Sequence, residues 1–103
     1  MEEITYREHL ERHPNFTGVF ENSAGKFWCR YGELHREDEP ACEWVDGGKD
    51  WYRNGLLHRE GGPAIEWAGG GKSWYLHGEN MSKEEHRGKV RTNKLEEFFK
   101  DNA

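Results

Sequence analysis

Aliphatic residues, cysteine and proline are all scarce in this chain. Leu, Ile, Val and Phe account for 16 of 103 residues, and there are three prolines and two cysteines. So low a content of these four apolar residues is by itself typical of disordered chains. Five tryptophans and four tyrosines favour the opposite conclusion, because each large aromatic side chain buries roughly 150–250 Å². We therefore expect one folded domain, residues 1–103, with a thin core rich in tryptophan.

Long apolar segments and targeting signals are also missing from the sequence. No apolar run approaches the length of a membrane span. No signal-peptide pattern opens the chain, because Glu2 and Glu3 stand where its basic start would be. These absences predict a cytoplasmic protein without a membrane contact. In that reducing compartment Cys29 and Cys42 are expected to be free thiols that fill the core.

The net negative charge of the chain lies in its first four fifths. Residues 1–81 carry nine Lys/Arg against fifteen Asp/Glu, a net charge of −6, whereas residues 82–103 carry six against five. Proteins that bind nucleic acid need a basic face, so direct nucleic-acid binding is not expected. An acidic body suits a protein that approaches basic partners, and solubility alone explains the same charge.

The chain repeats itself at an interval of 23 residues. The residues that coincide at this interval are Trp28, Trp51 and Trp74, then Gly32, Gly55 and Gly78, then 34–37 with 57–60, 40–41 with 63–64 and 43–44 with 66–67. No gap is needed, which indicates a tandem repeat. Two full units occupy residues 25–70, and a third begins at Gly71 and diverges after Gly78. Atypical end units are expected because terminal repeats cap the core, and Phe16–Glu21 is interpreted as a degenerate first strand.

Each unit is predicted to consist of short β-strands joined by turns. In the second unit, residues 49–53 form a strand, Asn54-Gly55 a two-residue hairpin turn, and residues 56–59 the returning strand. A third strand, residues 64–67, follows Pro63. Alternation along this strand places Ile65 and Trp67 on the buried side. The fold class is therefore mainly β, a meander of antiparallel hairpins, and Cys42 and Trp44 take the same buried places one unit earlier.

Both ends of the chain are predicted to be helical. Residues 2–12, within an N-terminal segment 1–15, favour a short helix that stops at Pro14. The repeat body, residues 16–81, is followed by a C-terminal segment, 82–103, that opens with a capping box at Ser82–Glu85. Gly88 is expected to interrupt this helix, which resumes over residues 92–100.

The C-terminal segment carries one apolar stripe, formed by Leu95, Phe98 and Phe99 at helical spacing. We expect it to dock on the incomplete last unit and cover its core. The alternative is an exposed stripe that binds a partner or a second copy of the chain, since exposed apolar patches usually mark interaction sites.

Residues 51–64 resemble a short repeat of bacteriophage and some bacterial proteins, whose form is Trp-Tyr-x-Asn-Gly-x-x-His-Arg-x-Asp-Gly-Pro-Ala. They depart from it at Gly61, in the Asp place. The preceding unit departs at Cys29, Tyr31 and Glu39, and it keeps His35, Arg36, Asp38, Pro40 and Ala41. The resemblance covers about residues 25–80, and the repeat unit is loosely similar to MORN hairpin repeats. The resemblance implies a binding protein. Because small phage proteins are often inhibitors of host systems, it further implies an inhibitor that binds a host protein directly.

The repeated His-Arg-Glu triplets are interpreted as structural. A histidine beside a carboxylate can act in acid–base catalysis, but an active site is normally built once and from unlike groups. We therefore expect the repeated residues to brace each unit through Arg–carboxylate pairs or histidine hydrogen bonds. This set comprises His35, Arg36, His58, Arg59, Pro40, Pro63 and Gly55.

A row of tryptophan and arginine has two interpretations. Trp28, Arg30, Trp51, Arg53 and Trp74 follow one strand face. Buried, the tryptophans form the core, and Trp51 is its central member. Exposed, the row is a candidate binding face on which a nucleotide could stack.

These patterns favour a non-enzymatic module that binds a protein partner, with nucleotide sequestration as the alternative. No cofactor is expected. His9 and His13 are four residues apart and could hold a metal on a helix, although such a pair is usually solvated. An enzyme would need its site where the units differ, near Tyr31, His77 and His86.

Overall fold

A computed structural model describes residues 3–101 of the protein. Its elements are α1 (Tyr6–Arg12), β1 (Gly18–Asn22), β2 (Gly25–Arg30), β3 (Glu33–Leu34), β4 (Cys42–Trp44), β5 (Lys49–Asp50), β6 (Tyr52–Arg53), β7 (Leu56–Leu57), β8 (Ile65–Glu66), β9 (Lys72–Leu76), β10 (Glu79–Met81) and α2 (Lys83–Asp101). Eight strands form one sheet in the order β1-β2-β4-β5-β8-β9-β10, with β3 beside β2, and β6 pairs with β7. All pairs are antiparallel. The predicted hairpin meander with helical ends is confirmed.

The described chain is thin and elongated, with principal extents of 58 × 32 × 18 Å. The strand predicted over residues 49–53 divides at Trp51, because β5 pairs within the main sheet whereas β6 pairs with β7. In residues 3–101 no helix combines the length and apolarity needed to span a bilayer.

One tight turn recurs in every unit. Its two central residues both have positive φ: Tyr31 (51°) and Gly32 (80°), Asn54 (50°) and Gly55 (81°), His77 (49°) and Gly78 (82°). This is the conformation of a type I′ hairpin turn. The hairpin turn predicted at Asn54-Gly55 is confirmed, and the same backbone forms where Tyr or His replaces Asn.

A side-chain acceptor from the preceding segment holds each turn. The backbone N–H at the first turn position donates over 2.9 Å in all three turns, from Tyr31 to Thr17 Oγ1, from Asn54 to His35 Nδ1 and from His77 to His58 Nδ1. Because Nδ1 accepts, both imidazoles carry a proton on Nε2 when neutral. His35 and His58 are buried, and burial lowers the pKa of His58. The two histidines thus connect successive units.

The N-terminal helix is shorter than predicted. It begins after Thr5, whose hydroxyl accepts the Glu8 N–H over 3.1 Å. Residues 3–5 are not helical, and Glu2 lies outside the described residues. The later start reflects this cap, since a threonine N-cap fixes where the helix starts.

Helix α1 covers one end of the sheet. Tyr6 stacks on Phe27 with ring centroids 5.0 Å apart, and His9 stacks on Phe20 at 4.4 Å. His9 therefore belongs to an aromatic cluster on β1 and β2. With only seven residues, α1 leaves the same face of the later strands uncovered.

The C-terminal helix begins as predicted and continues further. Glu85 N–H donates to Ser82 Oγ over 3.1 Å, and Ser82 N–H donates to Glu85 Oε1 over 3.3 Å, which is the capping box. The expected interruption at Gly88 was wrong, because α2 is continuous through it. A glycine within a helix costs only about 1 kcal/mol, which the cap and the packing of the first turns offset.

The predicted docking of the apolar stripe was also wrong. Leu95, Phe98 and Phe99 are 52%, 58% and 66% exposed. The first turns of α2 contact the sheet through His86, whose Nε2 lies 2.6 Å from the Arg59 carbonyl oxygen. At 3.6 residues per turn, Leu95 points about 180° away from His86. The stripe therefore faces away from the sheet.

Candidate functional site

On one face of the sheet, the rings of Trp28 and Trp51 are covered by arginines of the chain itself. The Arg36 guanidinium lies 3.9 Å from the Trp28 ring centroid, and that of Arg59 lies 3.8 Å from the Trp51 centroid. Trp51 is 8% exposed, so it is a core residue. These are cation–π contacts, and they occupy the ring faces on which a nucleotide would stack.

Each arginine also binds a carboxylate and the backbone. Arg36 Nη1 donates to Glu43 Oε2 over 3.1 Å and to the Pro40 carbonyl over 3.2 Å. One unit later, Arg59 Nη1 donates to the Pro63 carbonyl over 3.2 Å and lies 3.7 Å from Glu66 Oε2. We call each set, Trp28–Arg36–Glu43 and Trp51–Arg59–Glu66, a Trp–Arg–carboxylate layer.

The other predicted face residues are only partly brought together. Arg53 lines a cleft of 240 Å³ with Trp51, where it lies 3.8 Å from Glu37 and 3.9 Å from Glu60. Arg30 instead donates to Asn54 Oδ1 over 2.8 Å. Trp74 is half-buried beside α2. The five residues therefore do not form one continuous platform.

The opposite face carries a site that the sequence did not predict. Trp44 and Trp67 were expected on the buried side, but they are 39% and 58% exposed, so that expectation was wrong. They lie on the face that α1 covers further along the sheet, as the edge-on contact of Trp44 with Phe27, at 5.3 Å, shows. Alternation assigned the correct face, and the missing cover made that face exposed.

The two tryptophans border a cleft of 250 Å³, which we call the tryptophan cleft. It is lined by Trp44, Asp46, Gly48, Asp50, Ile65, Glu66, Trp67 and Ala68. The strand β5 lies between β4 and β8, so the two tryptophans stand two strand spacings, or roughly 10 Å, apart.

A carboxylate lies at the floor of the tryptophan cleft. Asp50 stands in register between Cys42 and Ile65, and its Oδ2 accepts a hydrogen bond from Trp44 Nε1 over 3.0 Å. Burial raises the pKa of the Asp50 carboxyl, and the Trp44 hydrogen bond opposes that shift. The indole N–H thus fixes the orientation of the carboxylate.

Matching turns hold the two tryptophans in place. The backbone N–H of Trp44 donates to the Gly48 carbonyl and the backbone N–H of Trp67 to the Gly71 carbonyl, both over 2.9 Å. A Cβ at Gly71 would lie 3.1 Å from Trp67 Cδ1, so glycine gives the indole room against the turn. A tryptophan immediately before a glycine-rich turn is the sequence signal for this site, because it stands at the sheet margin.

The candidate catalytic and metal-binding groups are dispersed or buried. Tyr31 and His77 occupy equivalent turns two units apart, and His86 contacts the Arg59 carbonyl. Burial raises the pKa of the Cys42 thiol to about 12, which is unsuited to a nucleophile. Within residues 3–101, no three His, Cys, Asp or Glu side chains form a cluster that could hold a metal ion.

No protein-family model matches the chain, and neither curated proteins nor solved structures give a significant match to it. The resemblance of residues 25–80 to phage repeats therefore stays a hypothesis.

Proposed function

We propose that the chain is a non-enzymatic protein-binding module whose contact surface is the tryptophan cleft. The observation that carries the proposal is the pair Trp44 and Trp67, which the fold holds exposed on a stiff sheet. Tryptophan is enriched among residues that dominate interface energies. Exposed apolar side chains held in fixed positions need little ordering on binding, which favours affinity.

The shape and chemistry of the two faces favour a protein over a small ligand. The tryptophan cleft, at 250 Å³, is smaller than the 300–1,000 Å³ typical of small-molecule sites. Nucleotide sequestration would use Trp28 or Trp51, but Arg36 and Arg59 already cover those rings. A base would have to displace an arginine that also binds a carboxylate.

The resemblance to phage repeats narrows this proposal. It implies that the partner is a host protein, such as a component of a defence system, and that direct binding inhibits it. Both cysteines are free and buried, which suits action in a reducing cytoplasm.

Trp67→Ser should abolish capture of the partner from a bacterial lysate while the melting temperature changes little. The side chain is 58% exposed, so its loss removes contact area for the partner rather than core packing. Quantitative mass spectrometry of proteins retained by the immobilised wild type and variant measures the effect.

The matched control is Val19→Ser, an apolar residue of similar exposure on β1, on the face opposite the tryptophan cleft. It should leave capture unchanged. Capture lost with Val19→Ser and retained with Trp67→Ser would move the interface to that opposite face. A nucleotide found on the purified protein by native mass spectrometry would replace protein binding with ligand sequestration.

A second surface favours self-association, and we propose that two copies pair in parallel through α2. Gly88, Thr92, Leu95 and Phe99 alternate at spacings of four, three and four residues, the spacing of a coiled-coil seam. His86 lies on the opposite side of the helix, towards its own sheet. The seam is therefore free to meet a second helix without disturbing the sheet contact.

Charges beside this seam are complementary between parallel copies. In a parallel pair, a residue on one flank faces the residue five positions later on the second helix. Glu84 and Lys89 satisfy this relation with opposite charges, and so do Arg91 and Glu96. Both flanking pairs, Glu84 with Lys89 and Arg91 with Glu96, are thus attractive between the two helices.

Arg91→Glu should weaken the dimer, and adding Glu96→Arg should restore it. The single change places two acidic residues opposite each other, and the double change reverses the pair. Sedimentation equilibrium over a range of concentrations measures the association. Glu97→Arg, off the seam, is the control and should have little effect. A wild-type chain that stays monomeric throughout would refute the pairing.

A further inference from the structure

The tryptophan cleft has a one-sided charge. The ionisable residues in its lining are Asp46, Asp50 and Glu66, and the lining includes no Lys, Arg or His. The Glu66 carboxylate lies on the opposite face, 3.7 Å from Arg59, so Asp46 and Asp50 are the acidic groups that remain to the cleft. The surrounding body, residues 1–81, carries a net charge of −6. An apolar partner side chain would gain from the tryptophans but would desolvate the carboxylates without compensation. A cationic side chain would gain from both.

The chain itself shows which cation suits a site formed by tryptophan and a carboxylate. On the opposite face, Arg59 lies 3.8 Å from the Trp51 ring centroid and 3.7 Å from Glu66 Oε2. The layer of Trp28 repeats this arrangement one unit earlier. The tryptophan cleft has the tryptophans and a carboxylate, Asp50, but no arginine.

The dimensions of the cleft admit a guanidinium group. Trp44 and Trp67 stand roughly 10 Å apart, which accommodates one planar group in contact with an indole and the aliphatic stem of its side chain. Guanidinium is planar, stacks on aromatic rings and binds carboxylates through two N–H groups, whereas an ammonium group is a strongly hydrated point charge. Asp50, held by the Trp44 indole N–H at 3.0 Å, is the carboxylate at the floor.

We propose that the tryptophan cleft binds an arginine side chain of the partner protein. This arginine would complete, on the open face, the Trp–Arg–carboxylate arrangement that the chain forms with its own residues on the opposite face. The inference rests on the proposed function, because it names the partner group that the protein-binding cleft takes. The partner surface is accordingly basic and exposes at least one arginine.

The test is an NMR titration of the full chain with ¹⁵N-labelled tryptophan. The probe is the capped tripeptide acetyl-Gly-Arg-Gly-amide, and the matched control replaces arginine with citrulline, its neutral isostere. The indole resonances of Trp44 and Trp67 should shift with the arginine peptide, whereas those of Trp28, Trp51 and Trp74 should not. The citrulline peptide should cause no comparable shift. Equal shifts with both peptides, or none with either, would overturn the inference.

Asp50→Asn tests the role of the carboxylate. This near-isosteric variant keeps an acceptor for the Trp44 indole N–H. It should bind the arginine peptide roughly tenfold more weakly, as expected for the loss of one charged hydrogen bond. Asp38→Asn, an exposed aspartate in a loop, is the control and should bind like the wild type. Unchanged affinity of Asp50→Asn would contradict the inference.

The two proposals fail in different ways. If Trp67→Ser abolishes partner capture but the arginine peptide causes no shifts, the cleft binds protein through another group and only the arginine assignment is lost. If the peptide shifts Trp44 and Trp67 but no captured protein depends on Trp67, arginine recognition stands as an activity of the cleft and the protein-binding proposal is the one overturned.

Discussion

Trp51→Ala is expected to lower the free energy of unfolding by roughly 3–5 kcal/mol, the usual loss for a buried tryptophan. The ring is 8% exposed, and it supports the Arg59 guanidinium at 3.8 Å. Its removal leaves a cavity and deprives that arginine of its stacking partner. A domain of this size is marginally stable, so much of the population should unfold at 37 °C. Denaturant titration followed by circular dichroism measures the loss.

The control for this prediction is Trp67→Ala, which removes the same side chain from the open face of the same unit. It should cost less than about 1 kcal/mol, since surface substitutions are usually mild. Similar losses for the two variants would mean that the face of Trp67 is covered in solution, and the tryptophan cleft would not exist.

Gly32→Ala should destabilise the fold far more than Gly55→Ala, although both glycines have the same backbone conformation, with φ of 80° and 81°. Alanine in the left-handed region costs about 1–2 kcal/mol at either position. A Cβ at Gly32 would in addition overlap the Pro14 carbonyl oxygen, whereas at Gly55 its nearest neighbour is the Glu33 side chain at 3.5 Å. The clash should add roughly 1–3 kcal/mol.

The difference between the two variants isolates the clash from the backbone strain. Thermal melts under identical conditions suffice to compare them. Equal melting temperatures would show that the segment around Pro14 does not pack against the first turn as described.

The repeat interval made the sheet and its turns predictable. Asn54-Gly55 is a strong local turn signal, and the interval of 23 residues carries it to Tyr31-Gly32 and His77-Gly78, which alone would not indicate such a turn. The structure supplies the missing cause. A backbone N–H at the first position finds a side-chain acceptor each time.

The exposure of Trp44 and Trp67 could not be predicted in the same way. Alternation along a strand tells which side chains share a face, but it does not tell whether another element covers that face. Here α1 packs on it, but this helix of seven residues reaches Phe20 and Phe27 at one end of the sheet. Whether a face is covered depends on contacts between distant segments, which a single sequence does not contain.

The C-terminal helix illustrates the same limit. Helical spacing correctly grouped Leu95 with Phe99, and the capping box correctly placed the start. Docking depends on the rotation of the whole helix, which the contact of His86 with the Arg59 carbonyl fixes. That contact is made by a polar residue, so an apolar stripe was the wrong guide to the buried side.

The hydrogen bonds that recur between units bear on how such a scaffold can grow. They join one unit to the next, from Ala41 N–H to the Asp50 carbonyl as from Ala64 N–H to the Ser73 carbonyl, so the array can lengthen by whole units that each keep their surroundings. Every added unit brings a further tryptophan at the place of Trp44 and Trp67. Clefts at a fixed spacing would engage successive side chains of one partner at high effective concentration. Under the proposed function, a larger number of repeats would raise avidity without a change in any single cleft.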